Sequence, residues 1–516
     1  MKEIARKILN ESKLNKSVLT TLVFIFIFTL IVWYLQYHWK RRRLYAFAAK
    51  RNGPFTFPFI GNALYFAGST DDNLSNVMKI IDGYESPVRV WLGQKLFFVI
   101  WKPQQLETIM NSPHALAKDE VYKHAEDIGG TGLFTAPVPK WKRHRKIIMP
   151  TFNQKILNGF VEIFSEKSKI LVEQLQRVAG KGTFDVFDYL SRCTLDIICE
   201  TAMGASINAQ TTDSDYLKWI SKAMEIMFTK MLVVWYHYDF IFNLTPLAKE
   251  YADVAHKVHT FTGTIVKKRK IEYQKDLKER PEASLEEGSN IAKTFLENLL
   301  DLSEKGANFT DEEIREEVDT FMLAGSDTSA TASSFAFIMF GMFPEIQEKV
   351  YEEVICVLGP DRPVQCTDLG KFEYLERVIK ETMRLFPVGP IVARAITEDI
   401  QLDNSRIPAG SSVALIIKKL HIDPEIWPNP TKFDPDRFLP EEVAKRHPYS
   451  YLPFSGGPRN CAGIKYAMMN MKALIATVVR KYRFFTEYKK VEDIKLKVDL
   501  MLKPVDGYKI AIELRE

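Results

Sequence analysis

The ten residues 454–463, FSGGPRNCAG, restrict the fold and chemistry of this chain more than any other segment. Glycines and a proline prevent regular structure before Cys461, and an apolar stripe that begins at Ile464 indicates a helix directly after it. Free backbone N–H groups and the positive end of a helix favour a thiolate over a thiol. We therefore predict that Cys461 is a metal ligand.

Other positions of this loop suit a flat ligand. Gly457 and Gly463 let the backbone come close, Phe454 can cover the sulfur side, and Arg459 can meet a propionate. A lone loop cysteine is usually structural, but five fixed positions in ten match by chance in roughly one window per million. The loop resembles the F-x-x-G-x-R-x-C-x-G loop of the cytochrome P450 family. That resemblance implies haem, with Cys461 as the axial ligand of its iron.

A second motif of this family is E-x-x-R followed by a distant arginine. Glu381 and Arg384 match the motif, and Arg437 matches the third position. On its own, a Glu/Arg pair three residues apart is typical of a solvated helix surface. The resemblance implies instead a buried ion triad that supports the thiolate side of the haem.

The family also holds its haem propionates with basic residues. Trp141 and Arg145 match the short motif W-x-x-x-R, which would otherwise be a basic helix surface, and Arg394 resembles a second propionate ligand. The resemblance further implies that Val388 and Val392 line the substrate cavity.

Residues 310–343 form one long predicted helix. Thr310 and Glu313 make a capping box at its start. Its centre, residues 324–329, contains weak helix formers whose side chains compete for backbone hydrogen bonds. We expect a local distortion there.

The same central segment, AGSDT, matches the oxygen-activation motif of the family. The resemblance makes Thr328 and Asp327 the catalytic pair, in which Thr328 positions a proton and Asp327 links it to solvent. Phe321 and Ala324 would line the cavity beside them. Without Cys461, a threonine bonded back to its own helix would be the better interpretation.

The closest branch of the family is that of the microsomal fatty-acid omega-hydroxylases, insect members included. Residues 199–204 and 317–322 are similar to strings of this branch, but Ala324 stands where the branch carries glutamate. That glutamate can esterify a haem methyl group, so we expect non-covalent haem here. The smaller alanine also argues against strictly terminal hydroxylation.

An apolar run occupies residues 17–37, where 21 uncharged residues would form a helix about 31 Å long, enough to span a bilayer. The run is too long for a cleaved signal peptide and ends in interfacial aromatics. The basic residues 40–43 then favour a cytosolic catalytic domain on the endoplasmic reticulum membrane. The predicted division is a tail at 1–16, the anchor at 17–37, a basic and proline-rich hinge at 38–61, and a haem-binding catalytic domain at 62–516.

The remaining residues favour a mainly α fold with a minor β region, a single large haem-thiolate monooxygenase domain beyond the transmembrane helix. A hairpin is predicted at residues 88–92 and 96–101. The aromatic segment 224–244 is either a buried helix pair or an apolar lip that enters the membrane. Five cysteines without paired spacing argue against a disulfide framework, and a net charge of +5 argues against nucleic-acid binding.

The predicted function is insertion of one oxygen atom from O₂ into a lipophilic substrate such as a fatty acid, terpenoid or xenobiotic. No G-x-G-x-x-G fingerprint occurs, so NADPH electrons must come through a partner reductase, with cytochrome b5 a further candidate donor. Basic residues could form the docking face: Lys142, Arg143, Lys146 and Lys465. The alternatives are a reductase-independent lipid-peroxide isomerase or dehydratase, which would not need Asp327 and Thr328, and a non-catalytic haem-thiolate sensor.

Overall fold

Helices dominate the computed structural model, which describes residues 2–66, 70–212, 214–279, 293–307, 309–402 and 405–515. The helices are α1 Lys2–Ala49, α2 Asn73–Ile81, α3 Pro103–Asn111, α4 Glu126–Gly129, α5 Val138–Ile148, α6 Gln154–Gly159, α7 Val161–Leu175, α8 Phe187–Ile198, α9 Tyr216–Leu232, α10 Asp239–Phe242, α11 Pro246–Glu279, α12 Phe295–Leu302, α13 Asp311–Met342, α14 Pro344–Leu358, α15 Glu373–Leu385, α16 Ile417–His421, α17 Pro440–Ala444 and α18 Ile464–Val479. The strands are β1 Val88–Leu92, β2 Lys95–Ile100, β3 Phe184–Asp185, β4 Ile391–Ala395, β5 Ile400–Leu402, β6 Ser405–Ile407, β7 Ser412–Ile416, β8 Tyr482–Phe485, β9 Leu496–Asp499, β10 Met501–Pro504 and β11 Lys509–Leu514. The predicted class, mainly α with a minor β region, is confirmed.

The chain divides into two units, residues 1–52 and 53–516. The first consists of α1, whose segment Val18–Ala49 is long and apolar enough to cross a membrane. This helix does not stop at residue 37 but continues through the basic cluster to Ala49. Leucine, alanine, lysine and arginine are good helix formers, and no glycine or proline interrupts the chain before Gly53.

The glycine- and proline-rich residues 53–61, predicted as part of the hinge, group with the second unit. Gly53 lies so close to β1 that a Cβ atom there would come within 2.2 Å of the carbonyl oxygen of Arg89. Gly61 bridges to Leu92, and the Asn62 amide accepts a hydrogen bond from the Trp91 N–H at 2.8 Å. These contacts attach the segment to β1.

The main sheet has the strand order β1-β2-β7-β4. The predicted hairpin is present, with Val88 opposite Val99 and Leu92 opposite Lys95. Strand β7 adds parallel to β2, and β4 pairs antiparallel with β7, so that Arg394 lies opposite Val413. Because most side chains of β1, β2 and β7 are buried, the sheet is part of the core and fixes the position of β4.

Helix α13 is the central element of the core. Its capping box is present as predicted, since the Thr310 hydroxyl accepts from the Glu313 N–H and the Glu313 carboxylate from the Thr310 N–H. It packs against α8, α11, α15 and α18, and Phe335, Phe337 and Phe340 are fully buried in its second half. The helix ends at Met342, before Pro344, as proline requires.

The distortion expected at residues 324–329 is absent, because α13 is continuous from Asp311 to Met342. Gly325 explains why the weak helix formers are tolerated. A Cβ atom on Gly325 would lie 2.7 Å from the side chain of Ile198, so the glycine allows α8 to pack closely against α13. Tertiary packing thus outweighs the low helix propensity of this segment.

The aromatic segment 224–244 divides into two parts. Up to Leu232 it is the end of α9, with Met224, Ile226 and Met227 buried. The second part contains a 3₁₀ turn and the short α10, where Trp235, Tyr238 and Phe240 are exposed. Each sequence interpretation therefore applies to one half: a buried helix first, then an exposed apolar lip.

Candidate functional site

The loop that carries Cys461 is held by its own backbone. The Cys461 N–H donates to the carbonyl of Phe454 at 3.0 Å, and the Asn460 N–H donates to Gly457. At the start of α18, the Gly463 N–H donates to the sulfur of Cys461 at 3.3 Å. The side chain of Cys461 is exposed, so its sulfur, already oriented by an N–H group, is open to a ligand.

The pKa of Cys461 departs from the sequence expectation. The surrounding protein removes water from the thiol although part of the residue remains accessible, and this burial raises its pKa. The Gly463 N–H and the positive charge of Arg145 act in the opposite direction but do not outweigh it. The predicted lowering by the helix start is therefore wrong for the ligand-free thiol, which would lose its proton on binding a metal.

The two loop glycines have different roles. Gly457 has a φ of +67°, and a Cβ atom there would lie 2.2 Å from the carbonyl oxygen of Met110. It therefore admits the backbone at the end of α3, and its proximity to a flat ligand stays a prediction. Beside Gly463 the nearest atom to such a Cβ is the Cys461 sulfur at 3.9 Å, which leaves open space next to the sulfur. Phe454 is half-buried and packs against the main core.

Trp141, Arg145 and Arg459 meet beside this loop. The guanidinium of Arg459 lies over the Trp141 ring at 4.3 Å and donates to the carbonyls of Leu116 and Ala136. Its Nη1 is buried without a hydrogen-bond partner. Arg145 donates to the side-chain oxygen of Asn460 at 2.6 Å, so α5 lies against the Cys461 loop.

Arg394 and Lys118 add two more cations beside Arg145 and Arg459, and Lys118 was missed from the sequence. Lys118 forms a β-bridge with the buried Arg394, and its amine lies 4.4 and 4.0 Å from the ring centres of Tyr122 and Phe134. Burial and the positive charges of Arg394 and Arg459 lower the pKa of Lys118 well below its usual value. Lys118 lies in the segment between α3 and α4, where no sequence motif marks it. Only the fold shows that this lysine lies beside β4.

We call Lys118, Arg145, Arg394 and Arg459 the cationic cluster. In the described part of the chain these side chains contact neutral groups rather than carboxylates. Burial and the charges of Arg394 and Arg145 also lower the pKa of Arg459, since like charges are held together. An uncompensated buried cluster of this kind fits an anionic ligand. The two propionates of a haem, with Cys461 as iron ligand, meet this requirement.

Helix α13 presents one accessible stripe. Ala324 is exposed and Phe321, Gly325 and Thr328 are half-buried, whereas most of their neighbours along the helix are buried. The spacing i, i+3, i+4 and i+7 places these residues on one face. The Thr328 hydroxyl donates to the carbonyl of Ala324 at 2.6 Å. An accessible stripe on a core helix indicates an internal cavity.

The stripe and the Cys461 loop border the same small apolar cluster. Leu116, Leu133, Ala136 and Trp141 form this cluster, and both Phe321 and Ala462 pack against it. Because Ala462 follows Cys461 directly, the cavity face of α13 and the sulfur loop are within one layer of side chains of each other at this cluster. The structure thus brings together the two motifs that the sequence placed in different segments.

Asp327 points away from this accessible face into the protein, where only 3% of it is exposed. The pKa of Asp327 is raised to about 6, chiefly by burial, while Lys503 opposes the rise and Asp499 adds to it. A carboxyl group with a pKa near neutrality can both take up and release a proton at physiological pH.

The predicted substrate-lining valines lie at the start of β4. Both Val388 and Val392 are half-buried. The Leu502 N–H donates to the carbonyl of Val388 at 3.0 Å, which joins this segment to the β9–β10 hairpin. The hairpin turns at Leu500, whose φ of +74° is rare for a non-glycine residue and was not foreseen.

Glu381, Arg384 and Arg437 lie together as the family motif implies. Arg384 donates to both carboxylate oxygens of Glu381 at 2.7 and 2.8 Å, and both residues are fully buried. The Nε of Arg437 lies 3.5 Å from the same carboxylate. Arg384 also donates to the carbonyls of His421, at the end of α16, and of Lys432, so the group ties α15 to the irregular segment before the Cys461 loop.

A second buried network, also missed from the sequence, joins α5 to α13. His144 lies between Glu317 and Glu313, and Lys140 pairs with Glu316 at 2.7 Å. The Glu317 carboxylate also accepts the Leu133 N–H. The helix that carries Trp141 and Arg145 is thereby fixed to the helix that carries Phe321 and Thr328.

Comparison with known proteins agrees with this architecture. The family model Cytochrome P450 matches residues 52–511. Cytochrome P450 4c3 of Drosophila melanogaster is 36% identical over 502 residues, covering 95% of this chain and 94% of that protein. Cytochrome P450 4c21 of Blattella germanica is 38% identical over 500 residues, covering 96% and 98%. The crystal structure of the cytochrome P450DA heme domain superposes with a TM-score of 0.74 at 22% identity, covering 90% of this chain and 97% of that chain.

Proposed function

Because the chain belongs to the cytochrome P450 family and is a haem-thiolate monooxygenase, we propose that its substrates are lipophilic molecules and its electrons come from NADPH through a separate reductase. The observation that supports this most is the accessible stripe of α13 beside the Cys461 loop. It provides a cavity face with one hydroxyl, that of Thr328, among apolar side chains.

In the proposed site, Cys461 would ligate the haem iron and the cationic cluster would hold the propionates. Haem with a cysteine thiolate supplies the electron-rich iron that favours cleavage of the O–O bond. The Gly463 N–H donates to the sulfur and so orients it. The buried Nη1 of Arg459, which has no hydrogen-bond partner among the described residues, would donate to a propionate oxygen.

We assign proton delivery to Thr328 and Asp327. The Thr328 hydroxyl donates a hydrogen bond to the Ala324 carbonyl on the accessible face. Its oxygen can accept a further hydrogen bond, or the hydroxyl can rotate and donate into the cavity. Asp327, next along the helix and buried on the other side, would return the proton to that hydroxyl. The pKa of about 6 suits a group that must be reprotonated in each turnover.

The cavity favours apolar substrates such as fatty acids, terpenoids and xenobiotics. Phe321, Val388 and Val392 give it apolar walls, and Ala324 leaves space that a longer side chain would fill. We propose that oxidation is not restricted to the chain terminus. Alanine cannot esterify a haem methyl group, so the haem is proposed to be non-covalent.

The reductase docking face is proposed to lie on α5 and the start of α18. Lys142, Arg143, Lys146 and Lys465 are all exposed, and the Arg145–Asn460 hydrogen bond holds these two elements together. A cationic face of this kind suits an acidic protein such as a flavoprotein reductase or cytochrome b5. Exchange of Lys146 and Lys465 for glutamate should raise the KM for reductase several-fold, whereas Lys267→Glu on α11 should leave it unchanged.

We propose that the protein resides on the endoplasmic reticulum membrane with its catalytic unit in the cytosol. Helix α1 meets the length and apolarity of a membrane span, and the basic cluster at residues 40–43 follows its apolar part. The exposed lip Trp235, Tyr238 and Phe240 suits contact with the lipid interface.

The decisive experiment reconstitutes the protein with an NADPH-dependent reductase and fatty acids of graded length, and locates the new hydroxyl group by mass spectrometry. We expect one oxygen atom from O₂ in each product, with interior carbons among the positions attacked. Absence of product and of substrate-stimulated NADPH consumption across lipids, terpenoids and xenobiotics would reject the proposal. Conversion of lipid hydroperoxides without reductase would favour the isomerase alternative.

A further inference from the structure

The β9–β10 hairpin carries a charged pair whose position the monooxygenase fold does not by itself explain. Asp499 ends β9 and Lys503 lies within β10, and their side chains form an ion pair of 3.2 Å. Only 21% of the Asp499 side chain and 13% of the Lys503 side chain are exposed. Removing two charges from water is unfavourable, so a largely buried pair calls for a reason.

The hairpin is also strained and closely packed at this place. Leu500, between the two strands, has a φ of +74°, a conformation that is unfavourable for a non-glycine residue. Strand β10 packs against α13, and the Lys503 amine lies 5.7 Å from the ring centre of Phe187 on α8. The turn therefore holds the pair against the two helices that flank the oxygen-activation motif.

Asp327 on α13 is the acidic group that this pair acts upon. Lys503 stabilises its carboxylate and Asp499 destabilises it. The other titratable groups that act on or respond to Asp327 are the phenols of Tyr216 on α9 and Tyr508, while Glu225 on α9 acts on Asp499. Lys503 is thus the cation that offsets the burial of Asp327.

Two buried polar atoms that belong to groups acting on or responding to Asp327 have no protein partner within the described residues. They are the Tyr216 hydroxyl and Oδ1 of Asp499. Buried polar groups are nearly always hydrogen-bonded, and ordered water is the usual partner where protein atoms are lacking. Bound water is therefore the expected partner of these two atoms.

We propose that Lys503 and Asp499 are positioning residues for Asp327, which set the charge of its buried carboxyl and connect it through water to the outside of the hairpin. The inference rests on the proposed role of Asp327 in proton delivery and deepens it. Protons reach Asp327 along the hairpin side of α13, opposite to the cavity face that carries Thr328.

The test measures the protonation of Asp327 in the haem-loaded protein by infrared spectroscopy. The carboxyl C=O band of Asp327 is identified by its loss in Asp327→Asn and followed against pH. Lys503→Met should raise its midpoint by about one pH unit, because a stabilising positive charge is lost. Asp499→Asn should lower the midpoint, because a repelling negative charge is lost. Lys503→Arg should keep the wild-type value.

Lys497→Met is the matched control. Lys497 lies directly opposite Lys503 in the hairpin but pairs with Asp71 at 3.0 Å. Lys497 acts on Asp499 but not directly on Asp327, so the midpoint of Asp327 in this variant should move far less than in Lys503→Met. Unchanged midpoints in Lys503→Met and Asp499→Asn, or an equal shift in Lys497→Met, would overturn the inference. General misfolding cannot imitate it, since the two informative variants shift in opposite directions.

A second measurement tests the connection to solvent. Product formed per NADPH should fall several-fold in Lys503→Met and be restored in Lys503→Arg, and equal yields in all variants would overturn this part. The infrared titration needs no substrate or reductase. An enzyme that oxygenates none of the tested compounds would therefore refute the proposed function while the titration still decides the role of Lys503 and Asp499.

Discussion

Nδ1 of His144 lies 2.6 Å from Oε1 of Glu317, and both side chains are fully buried between α5 and α13. The other ring nitrogen of His144 faces Glu313, which also accepts a hydrogen bond from the half-exposed Arg143 at 2.7 Å. A continuous polar chain thus runs from the proposed docking face to the interior of α13. It makes the position of α5 dependent on α13.

Glu317→Ala should destabilise the protein by about 3–5 kcal/mol, because it leaves His144 and the Leu133 N–H buried without their partner. Glu313→Ala, at the outer end of the same chain, also removes half of the capping box of α13 and should cost about 1–2 kcal/mol. Denaturant unfolding of both variants measures the difference. Equal losses would show that the network is not organised around the buried pair.

Arg384→Ala should destabilise by a similar amount, about 3–5 kcal/mol, since Glu381 would remain as a buried uncompensated charge. We also expect poor haem incorporation, because α15 is tied through Arg384 to the segment that precedes the Cys461 loop. Arg406→Ala removes an exposed arginine 3.5 Å from Asp399 and should change stability by less than about 1 kcal/mol. Haem content per protein and unfolding midpoints test both statements.

Cys461→Ser should abolish the red-shifted Soret band of the reduced carbon monoxide complex, because the thiolate ligand is lost. Cys356→Ser is the control, since Cys356 is also exposed but lies on α14. It should keep the full band. A Cys461→Ser protein with an unaltered band would refute the ligand assignment.

Acid-acetone should extract all haem from the wild-type protein, because Ala324 carries no carboxyl group. Ala324→Glu places one on the accessible stripe, and after turnover a fraction of the haem should stay bound to the polypeptide. Ala324→Gln has nearly the same volume but no carboxylate to form an ester, so its haem should be fully extractable. Retained haem in the wild type would contradict the prediction of a non-covalent cofactor.

Asp327→Asn should stabilise the protein at pH 7.5 while impairing turnover. Burial raises the folded pKa of Asp327 to about 6, above the value near 3.9 of an unfolded aspartate. The folded state then binds the proton more tightly, so stability falls as pH rises through this interval, by about 1–3 kcal/mol in total. The advantage of the asparagine variant in thermal unfolding should shrink as pH is lowered from 7 to 4. An advantage that is constant with pH would mean that the carboxyl does not titrate in this range.

Local features of this chain could be predicted from the sequence because their causes are local. The capping box of Thr310 and Glu313, the hairpin at β1 and β2, and the helix after Cys461 each depend on residues a few positions apart. The motif resemblance extended this to Glu381 and Arg384, which indeed lie in contact.

What the sequence could not show depends on contacts between distant segments. The role of Lys118 depends on its β-bridge with Arg394, and the role proposed for Lys503 depends on the packing of the β9–β10 hairpin against α13. The close approach of Gly457 to Met110 could not be predicted, because Met110 belongs to another helix. The thiol pKa was misjudged because burial opposes the effect of the helix start.

Because Gly457 contacts Met110, the conformation of the Cys461 loop depends on the end of α3. Random mutagenesis followed by a screen for bacterial colonies that lack the haem colour should therefore yield substitutions around Met110 and Asn111. These residues are distant in the sequence from the Cys461 loop. Such mutants should fold but bind no haem, and second-site revertants should carry changes at or next to Gly457.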